Sequence, residues 1–484
     1  MLVRSPILAP ARSFGIRTLA VAAILVLGGC AVGPRYTPPD TRELVPGAYP
    51  AAAPAVASAP AADRWWRALG DSTLDSLVER ALSDNPDLAG AEARVRQARA
   101  LAGAAGAELY PAANLDARVS RDRLSRNGEN LALVPFTPKS LEFTDYKVGF
   151  DASWEIDLAG RTRRQLEAAV ARFGGSAETR NDARSVVAAE VANTYVDYRA
   201  NCERLSLARR TLAGLDETLR LVTLQEHAGV ASEQDRRRAE SERLGAEGSV
   251  APLEAAVQAD RYQLASLTGR SEQVLARELD DVRPIPSVPD DVPVGMPSDL
   301  LRRRPDVRHA ERELAAATAD VGSAVAAQFP RISLLGDFGW DSVRSGDLAR
   351  AASRYWNLAP QLTLPLFAGG RLRYQVKAAE AARDAALAGY RGTVLRAFTD
   401  AELSLVRFAA DRARTASLAT AAATLDANVN LERRRYAAGE VAMIDVLVAQ
   451  RTADQAADQR AASAAALARD FIALGKALGG GWQL

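Results

Sequence analysis

The run FTDYKVGFDASW, residues 143–154, alternates between two kinds of side chain. After Phe143, the odd-numbered positions carry Asp, Lys, Gly, Asp and Ser, whereas the even-numbered positions carry Thr, Tyr, Val, Phe, Ala and Trp. Because successive side chains on a β-strand point to opposite faces, this pattern predicts a strand with one polar face and one apolar, aromatic face. Its 12 residues are enough for a tilted strand that crosses a bilayer, which needs about 9–11 residues.

Three further stretches, residues 114–120, 331–339 and 357–366, are also predicted to be strands, which gives four per chain. A sheet in lipid must close, because an open edge leaves backbone groups unpaired, and barrels need at least about eight strands. Two chains would supply eight strands around an interior filled by side chains, and three would supply twelve around a water-filled lumen. The sequence therefore predicts an oligomer, with a soluble four-stranded sheet as the alternative.

Two long helical hairpins are predicted from the periodicity of the apolar residues. At 1.5 Å per residue, a helix of about 65 residues is a rod on the order of 100 Å long. In the first hairpin, apolar residues at steps of three and four between Val187 and Val222 predict coiled-coil packing. The helices of the hairpins are expected at residues 161–226 and 232–267, and at residues 371–436 and 441–478.

The two halves of the chain repeat one plan. Pro86 and Pro305 lie 219 residues apart, and Gly160 and Gly370 lie 210 residues apart, in matching sequence surroundings. A period this long indicates a duplicated half, since solenoid repeats span about 20–50 residues. The predicted organisation is a first repeat at residues 63–282, a Pro-rich linker at 283–297 and a second repeat at 298–484.

The N-terminus has the features of an export signal that ends at a cysteine. A basic region precedes an apolar stretch at residues 19–27, which is too short to span a membrane as a mature helix. The following Leu27-Gly28-Gly29-Cys30 resembles the lipobox of bacterial lipoproteins, in which the Cys is acylated, palmitate included. Ala31 in place of Asp resembles an outer-membrane sorting signal. We expect a signal peptide at residues 1–29, acylation of Cys30 and a lipid-anchored extended tether at 30–62. An ordinary signal peptide with a chance Cys is the alternative.

The composition argues against several classes of function. The chain has 61 basic and 60 acidic residues, so its net charge of +1 creates no field that would attract a nucleic acid. With two His and two Cys, it has almost no ligands for a His/Cys metal site. No phosphate-binding loop follows a predicted strand, and no catalytic constellation is apparent. We therefore expect no cofactor, no metal and no enzymatic activity.

Short segments of matching order and spacing connect the chain to a known family. The chain resembles the outer membrane factors of tripartite efflux systems, the TolC-like family, in the lipoprotein branch related to the multidrug channel OprM. The resemblance covers essentially all of the mature chain and depends on the segments together, since no single one is specific. They include Trp65-Trp66, Asn85-Pro86-Asp87-Leu88, Trp154-Glu155-Ile156-Asp157-Leu158, Arg303-Arg304-Pro305-Asp306-Val307, Leu364-Pro365-Leu366-Phe367 and Ala477-Leu478-Gly479-Gly480-Gly481-Trp482.

The resemblance implies an α+β membrane protein that acts as a homotrimer. Each chain would contribute four strands to a twelve-stranded β-barrel in the outer membrane, continuous with an α-helical coiled-coil barrel in the periplasm. The periplasmic end of the helical barrel would meet a periplasmic adaptor (membrane fusion) protein and an inner-membrane efflux pump. Small molecules such as drugs would pass through the channel, which would act as a passive duct. The alternatives are a duct for polypeptide secretion and a periplasmic scaffold lipoprotein without a pore. A scaffold would show no conductance in a planar bilayer.

The resemblance also implies a periplasmic gate at the hairpin tips. Asp445, just past the second hairpin turn, matches the family's gate aspartate, and Val448 stands where some relatives carry a second Asp. Tyr436 matches a tyrosine that helps to latch the closed tip. Asp235 is the repeat partner of Asp445, and both tips carry arginine runs, Arg435 among them, which we expect to form salt bridges between the hairpins. The alternatives are a solvated Asp at a helix start, which the helix dipole favours, and arginines on solvated helix faces.

Overall fold

The computed structural model describes residues 31–41, 43–50, 62–125, 140–279 and 283–483. Cys30, the predicted signal peptide and part of the predicted tether lie outside these residues. The chain divides into two compact units. One contains Gln97–Phe173 and Arg312–Leu387 with the described residues up to Pro38, and the other contains Pro39–Arg96, Gly174–Glu311 and Ala388–Leu484.

The first unit contains a four-stranded antiparallel sheet. Its strands are β1 (Ala112–Arg123), β2 (Glu142–Ile156), β3 (Arg331–Ser342) and β4 (Arg354–Thr363), in the order β1-β2-β3-β4. The four predicted strands are confirmed, although β4 begins and ends earlier than the predicted residues 357–366. β4 tolerates Pro360 because it is an edge strand, and it ends at Thr363, before Pro365.

Both predicted hairpins are confirmed as pairs of long helices. The described chain contains α1 (Ser72–Asp84), α2 (Pro86–Ala107), α3 (Arg161–His227), α4 (Glu233–Leu267), α5 (Glu272–Leu279), α6 (Leu300–Arg303), α7 (Pro305–Ala326), α8 (Arg371–Ala437) and α9 (Met443–Ala477). Helices α3 and α8 have 67 residues each, and α4 and α9, which follow them, have 35 residues each. None of the helices in the described ranges is both long enough and apolar enough to cross a membrane.

The second unit has a hydrophobic core to which α1, α3, α4 and α9 contribute. Trp66 and Tyr195 are fully buried there, and the Trp65 and Trp66 rings pack edge to face with their centroids 5.5 Å apart. Val187 and Val191, which belong to the predicted coiled-coil seam of α3, are buried in the same core. The core therefore forms where the sequence places the Trp pair and the apolar seam.

Candidate channel wall and hairpin tips

The two faces of the sheet differ in polarity, as the alternation at residues 143–154 predicts. Asp151 on β2 is paired with Asp337 on β3, which is paired with Asn357 on β4, so polar side chains form a row across three strands. The same face also carries Asp116, Arg118, Asp145, Lys147 and Asp341. A face with this many charged groups needs contact with water, because burial of unpaired charge is costly.

The opposite face of the sheet is apolar and exposed. Register places Leu115, Phe150, Phe338 and Trp356 side by side in one row across all four strands. Trp356 is 77% exposed, and the others are also exposed despite their size. An exposed apolar surface that extends across a whole sheet marks a site of contact with lipid or with another protein.

The first hairpin turns between α3 and α4. Gly229 has a φ of +76°, a left-handed conformation that favours glycine. Ser232 then caps α4, because its Oγ accepts from the Asp235 N–H at 3.2 Å while the Asp235 carboxylate accepts from the Ser232 N–H at 3.1 Å. The Ser232 hydroxyl and N–H together lower the pKa of Asp235. Asp235 thus completes a capping box that stabilises the start of α4.

Asp445 holds the corresponding place in the second hairpin. Gly439 has the same φ of +76°, and the Asp445 carboxylate accepts from the N–H of Ala442 at 3.0 Å. Ala442 has no side-chain acceptor, so the capping box is half complete. Asp445 is exposed and stabilises the start of α9, which is the sequence-based alternative to a gate residue. A role of Asp445 in a gate stays a prediction. Val448, one turn further along α9, is 45% exposed.

A hydrogen bond joins the two hairpins near their tips. The Tyr436 hydroxyl oxygen on α8 lies 3.0 Å from Nε2 and 3.3 Å from Oε1 of Gln225 on α3. The structure therefore places Tyr436 at a contact between hairpins, where a latch would have to lie. Its partner could not be predicted from the sequence, because 211 residues separate Gln225 from Tyr436 and no local pattern connects them.

The arginines at the tips form ion pairs inside their own hairpins. Arg435 contacts Glu432 at 3.1 Å and Glu440 at 3.4 Å, and Arg236 contacts Glu226 at 3.0 Å. Within the described part of one chain, Arg435 therefore does not make the expected bridge between hairpins. Arg435 pairs instead with acidic residues that are close to it in sequence. One lies a helical turn before it on α8, and the other lies just past the end of that helix.

Ion pairs between the hairpins lie farther from the turns. They connect α9 to α3 and α4, and partners more than 200 residues apart in the chain leave no sequence signal. Each exposed pair contributes little on its own, but the set fixes the register of α9 against the first hairpin. The pairs are Arg451 with Glu242 at 3.3 Å, Asp458 with Arg204 at 2.6 Å, Arg460 with Glu203 at 2.5 Å, and Arg469 with Asp197.

The cysteine and histidine side chains that could in principle react or bind a metal lie in surroundings typical of structural residues. Burial raises the pKa of the Cys202 thiol, which makes the reactive thiolate scarce. Nδ1 of His309 lies 3.1 Å from the carbonyl oxygen of Gly175. Among the residues that the structure describes, no group of three or more His, Cys, Asp or Glu side chains is placed to hold a metal ion.

Comparison with known proteins gives consistent matches over nearly the whole chain. The family model described as "Outer membrane efflux protein" matches residues 77–270 and 296–480. OpmQ of Pseudomonas aeruginosa, a pyoverdine export outer membrane protein, is 33% identical over 470 residues, which is 96% of this chain and 96% of OpmQ. Outer membrane protein OprJ of the same species is 31% identical, over 97% of this chain and 96% of OprJ. The solved structure of the outer-membrane channel OprN superimposes with a TM-score of 0.85 at 33% identity and covers 94% of this chain and 100% of that one.

Proposed function

Because the chain belongs to the outer membrane efflux protein family, we propose that three copies form one continuous duct across the outer membrane and the periplasm. The chain is the outer-membrane channel component of a tripartite efflux system, and its activity is transport. The single observation that carries the proposal for the duct is the four-stranded sheet, which has one polar and one exposed apolar face.

The free edges of the sheet support an assembly of three chains. β1 and β4 are the outer strands of the sheet, and their edges need partners in lipid. Three chains would close a barrel of about twelve strands, which is wide enough for a water-filled lumen. The row from Leu115 to Trp356 would then face lipid, and the row from Asp151 to Asn357 would line the lumen.

We place the two hairpins in a helical coiled-coil barrel on the periplasmic side. Helices of 67 residues have the length for such a rod, on the order of 100 Å. Their tips would dock to a periplasmic adaptor (membrane fusion) protein, and an inner-membrane pump would supply the energy. The two repeats, residues 63–282 and 298–484 around the linker 283–297, would give each chain internal pseudo-symmetry.

The proposed cargo is small molecules such as drugs and other toxic compounds. The relative OpmQ is named for the export of pyoverdine, and this chain matches OpmQ over 96% of its length. Polypeptide secretion uses the same architecture in principle, but no feature of the described residues favours it.

Insertion of the purified protein into planar bilayers tests the duct, with two neighbouring substitutions as a matched pair. Trp356→Arg puts a charge on the apolar face in every chain of the barrel, at a cost that rises from about 0–1 kcal/mol at the bilayer interface to about 2–4 kcal/mol at its midplane. Asn357→Arg puts the same charge on the polar face, where a lumen tolerates it. We expect channel conductance from the unaltered protein and from Asn357→Arg, and far fewer insertion events from Trp356→Arg. Absence of conductance from the unaltered protein would instead support a scaffold.

Acylation of Cys30 is proposed from the Leu27-Gly28-Gly29-Cys30 motif. Mass spectrometry of the mature protein is expected to find Cys30 as the first residue, with the added mass of acyl chains, palmitate included. Cys30→Ser should leave an unprocessed or unmodified chain. A mature N-terminus elsewhere, or an unmodified Cys30 in the wild-type protein, would contradict the proposed lipoprotein.

A gate at the hairpin tips is the remaining part of the proposal. It would involve Asp445, Val448 and Tyr436 of the second hairpin with Asp235, and Arg435 would stabilise the tip through its pairs within the second hairpin. The hydrogen bond between Tyr436 and Gln225 supports a tip that is held closed by contacts between hairpins. With Val448 beside Asp445, the gate would have one acidic ring and one apolar ring in a trimer.

A further inference from the structure

The first described residues of the chain are bound to the start of α3. The N–H of Val32 donates to the carbonyl of Ala159 at 3.0 Å. The Arg164 guanidinium donates from Nε to the Val32 carbonyl and from Nη2 to the Gly33 carbonyl, each at 3.4 Å. Three hydrogen bonds to backbone groups therefore hold a segment of two residues, whatever its side chains.

Three glycines allow this segment to approach closely. Gly160 has a φ of +83°, and a Cβ there would lie 2.7 Å from Cα of Ala31. A Cβ on Gly33 would lie 2.6 Å from Cα of Gly322. A Cβ on Gly322 would lie 2.8 Å from Nε of Arg164. A side chain at any of the three positions would therefore displace the segment or the arginine that binds it.

Arg164 is a buried charge whose partners include this segment. It is 4% exposed, and its Nη1 pairs with Glu167 at 2.7 Å. Glu167 accepts from Nη1 alone, so Nε and Nη2 of the guanidinium need other acceptors. A buried guanidinium without acceptors is strongly destabilising. The Val32 and Gly33 carbonyls supply these acceptors, so Arg164 and the segment stabilise each other.

The surroundings of Arg164 and Gly322 are not repeated in the other half of the chain, whereas Gly160 matches Gly370, which has a similar φ of +82°. The offset of 210 residues places Tyr374 where the first half has Arg164, and Tyr374 is 68% exposed. The offset of 219 residues matches Gly322 with Gly103, which has open space around it. A packing requirement common to both halves would appear in both. Arg164 and the close packing of Gly322 therefore serve something that occurs once per chain, as the N-terminal segment does.

We propose that Gly160, Arg164 and Gly322 form a binding site for the N-terminal segment, here named the tail site, which fixes where the lipid anchor enters the membrane. The inference rests on the proposed acylation of Cys30. A free tether of residues 30–62 could reach roughly 100 Å when extended. Ala31, which follows Cys30 in the sequence, lies beside Gly160, just after β2 ends at Ile156.

Limited trypsin digestion of the full-length protein purified in detergent tests the tail site. Cleavage after Arg35 releases the N-terminal peptide and requires the segment to leave its site, because proteolysis follows the population of the open form. We expect Gly322→Ala and Gly33→Ala each to speed this release by about tenfold or more. The matched control, Gly103→Ala, adds the same methyl group in open space and is expected to leave the release rate unchanged.

Both substitutions should preserve the folded channel. Gly322 lies within α7, where Ala is the better helix former, and Gly33 belongs to the N-terminal segment alone. The double variant should speed release by less than the product of the two single effects, because both changes disrupt the same packed group of Gly33, Gly322 and Arg164. The proposal would be overturned if trypsin released the N-terminal peptide from Gly322→Ala and Gly33→Ala no faster than from Gly103→Ala. The mass of the released peptide reports acylation separately, so an unmodified Cys30 would reject the lipoprotein assignment while the rates still decide the tail site.

Discussion

Channels that carry Tyr436→Phe together with Asp445→Ala are expected to be open far more often than the unaltered channel. Phe cannot make the hydrogen bond to Gln225, which contributes about 1 kcal/mol per chain, or about 3 kcal/mol in a trimer. Since about 1.4 kcal/mol corresponds to a factor of ten, the closed-to-open ratio should fall by roughly 100-fold. Asp445→Ala removes the carboxylate that caps the first turn of α9, and with it the acidic ring of the proposed gate.

Single-channel recording in planar bilayers measures this change as conductance and open probability. Block by trivalent cations added from the periplasmic side should also weaken once Asp445 is gone, since a ring of carboxylates is the expected binding group. Tyr262→Phe is the matched control, because Tyr262 on α4 is 61% exposed and its hydroxyl loss should change neither property. If the double variant conducts like this control and is blocked equally well, the gate does not lie at these residues.

Arg304→Ala is expected to lower the free energy of unfolding of the second unit by about 3 kcal/mol. The Arg304 side chain is 13% exposed and forms two hydrogen bonds to Asp306, at 2.8 and 3.0 Å, and one to Asp400 at 3.2 Å. It also donates to the carbonyls of Ala397 and Ala477, each at 3.4 Å. The two carboxylates keep some contact with water, so the expected loss lies at the lower end of the range for a broken buried ion pair.

The pH dependence of this network follows from Asp306. Burial by itself raises the pKa of Asp306, but the hydrogen bonds and the charge of Arg304 outweigh burial, and the pKa ends below its usual value. A carboxyl with a lowered pKa stabilises the fold above its unfolded pKa of about 3.9, and this contribution is lost as the pH falls through the folded value. The contribution of the pair to stability should therefore be complete at neutral pH.

Thermal unfolding of the purified protein at neutral pH measures the effect of Arg304→Ala as a lower Tm. Arg302→Ala is the control, because the side chain of Arg302 is 80% exposed and its pair with Asp299 should contribute less than about 1 kcal/mol. The Tm of Arg304→Lys should lie between those of Arg304→Ala and Arg302→Ala. Lys keeps the charge but cannot form the two parallel hydrogen bonds to Asp306. Equal Tm values for the Ala variants at 302 and 304 would show that the network does not stabilise the fold.

The strands and hairpins could be predicted from the sequence because their signals are local. Alternation at residues 143–154 fixes the two faces of β2, and the steps of three and four from Val187 to Val222 fix the packed face of α3. The turns at Gly229 and Gly439 likewise depend on a positive φ that glycine adopts without strain.

The contacts of the candidate sites could not be predicted, because they join distant residues through tertiary packing. Gln225 is a polar residue within a long helix, and only the fold brings it to Tyr436. Arg435 illustrates the converse, since acidic residues near it in sequence pair with it instead of the other hairpin. The sequence marks Gly160 as part of the repeat, but the contact between Gly33 and Gly322 has no local signature.

Native mass spectrometry of the protein extracted in detergent tests the central claim, that several chains share one barrel. Four strands per chain leave the edges of β1 and β4 open, and three chains close them around a water-filled lumen. We expect a single dominant species with the mass of three acylated chains. A stable monomer would contradict a shared barrel, and a stable dimer would contradict an open duct, because about eight strands leave an interior filled by side chains.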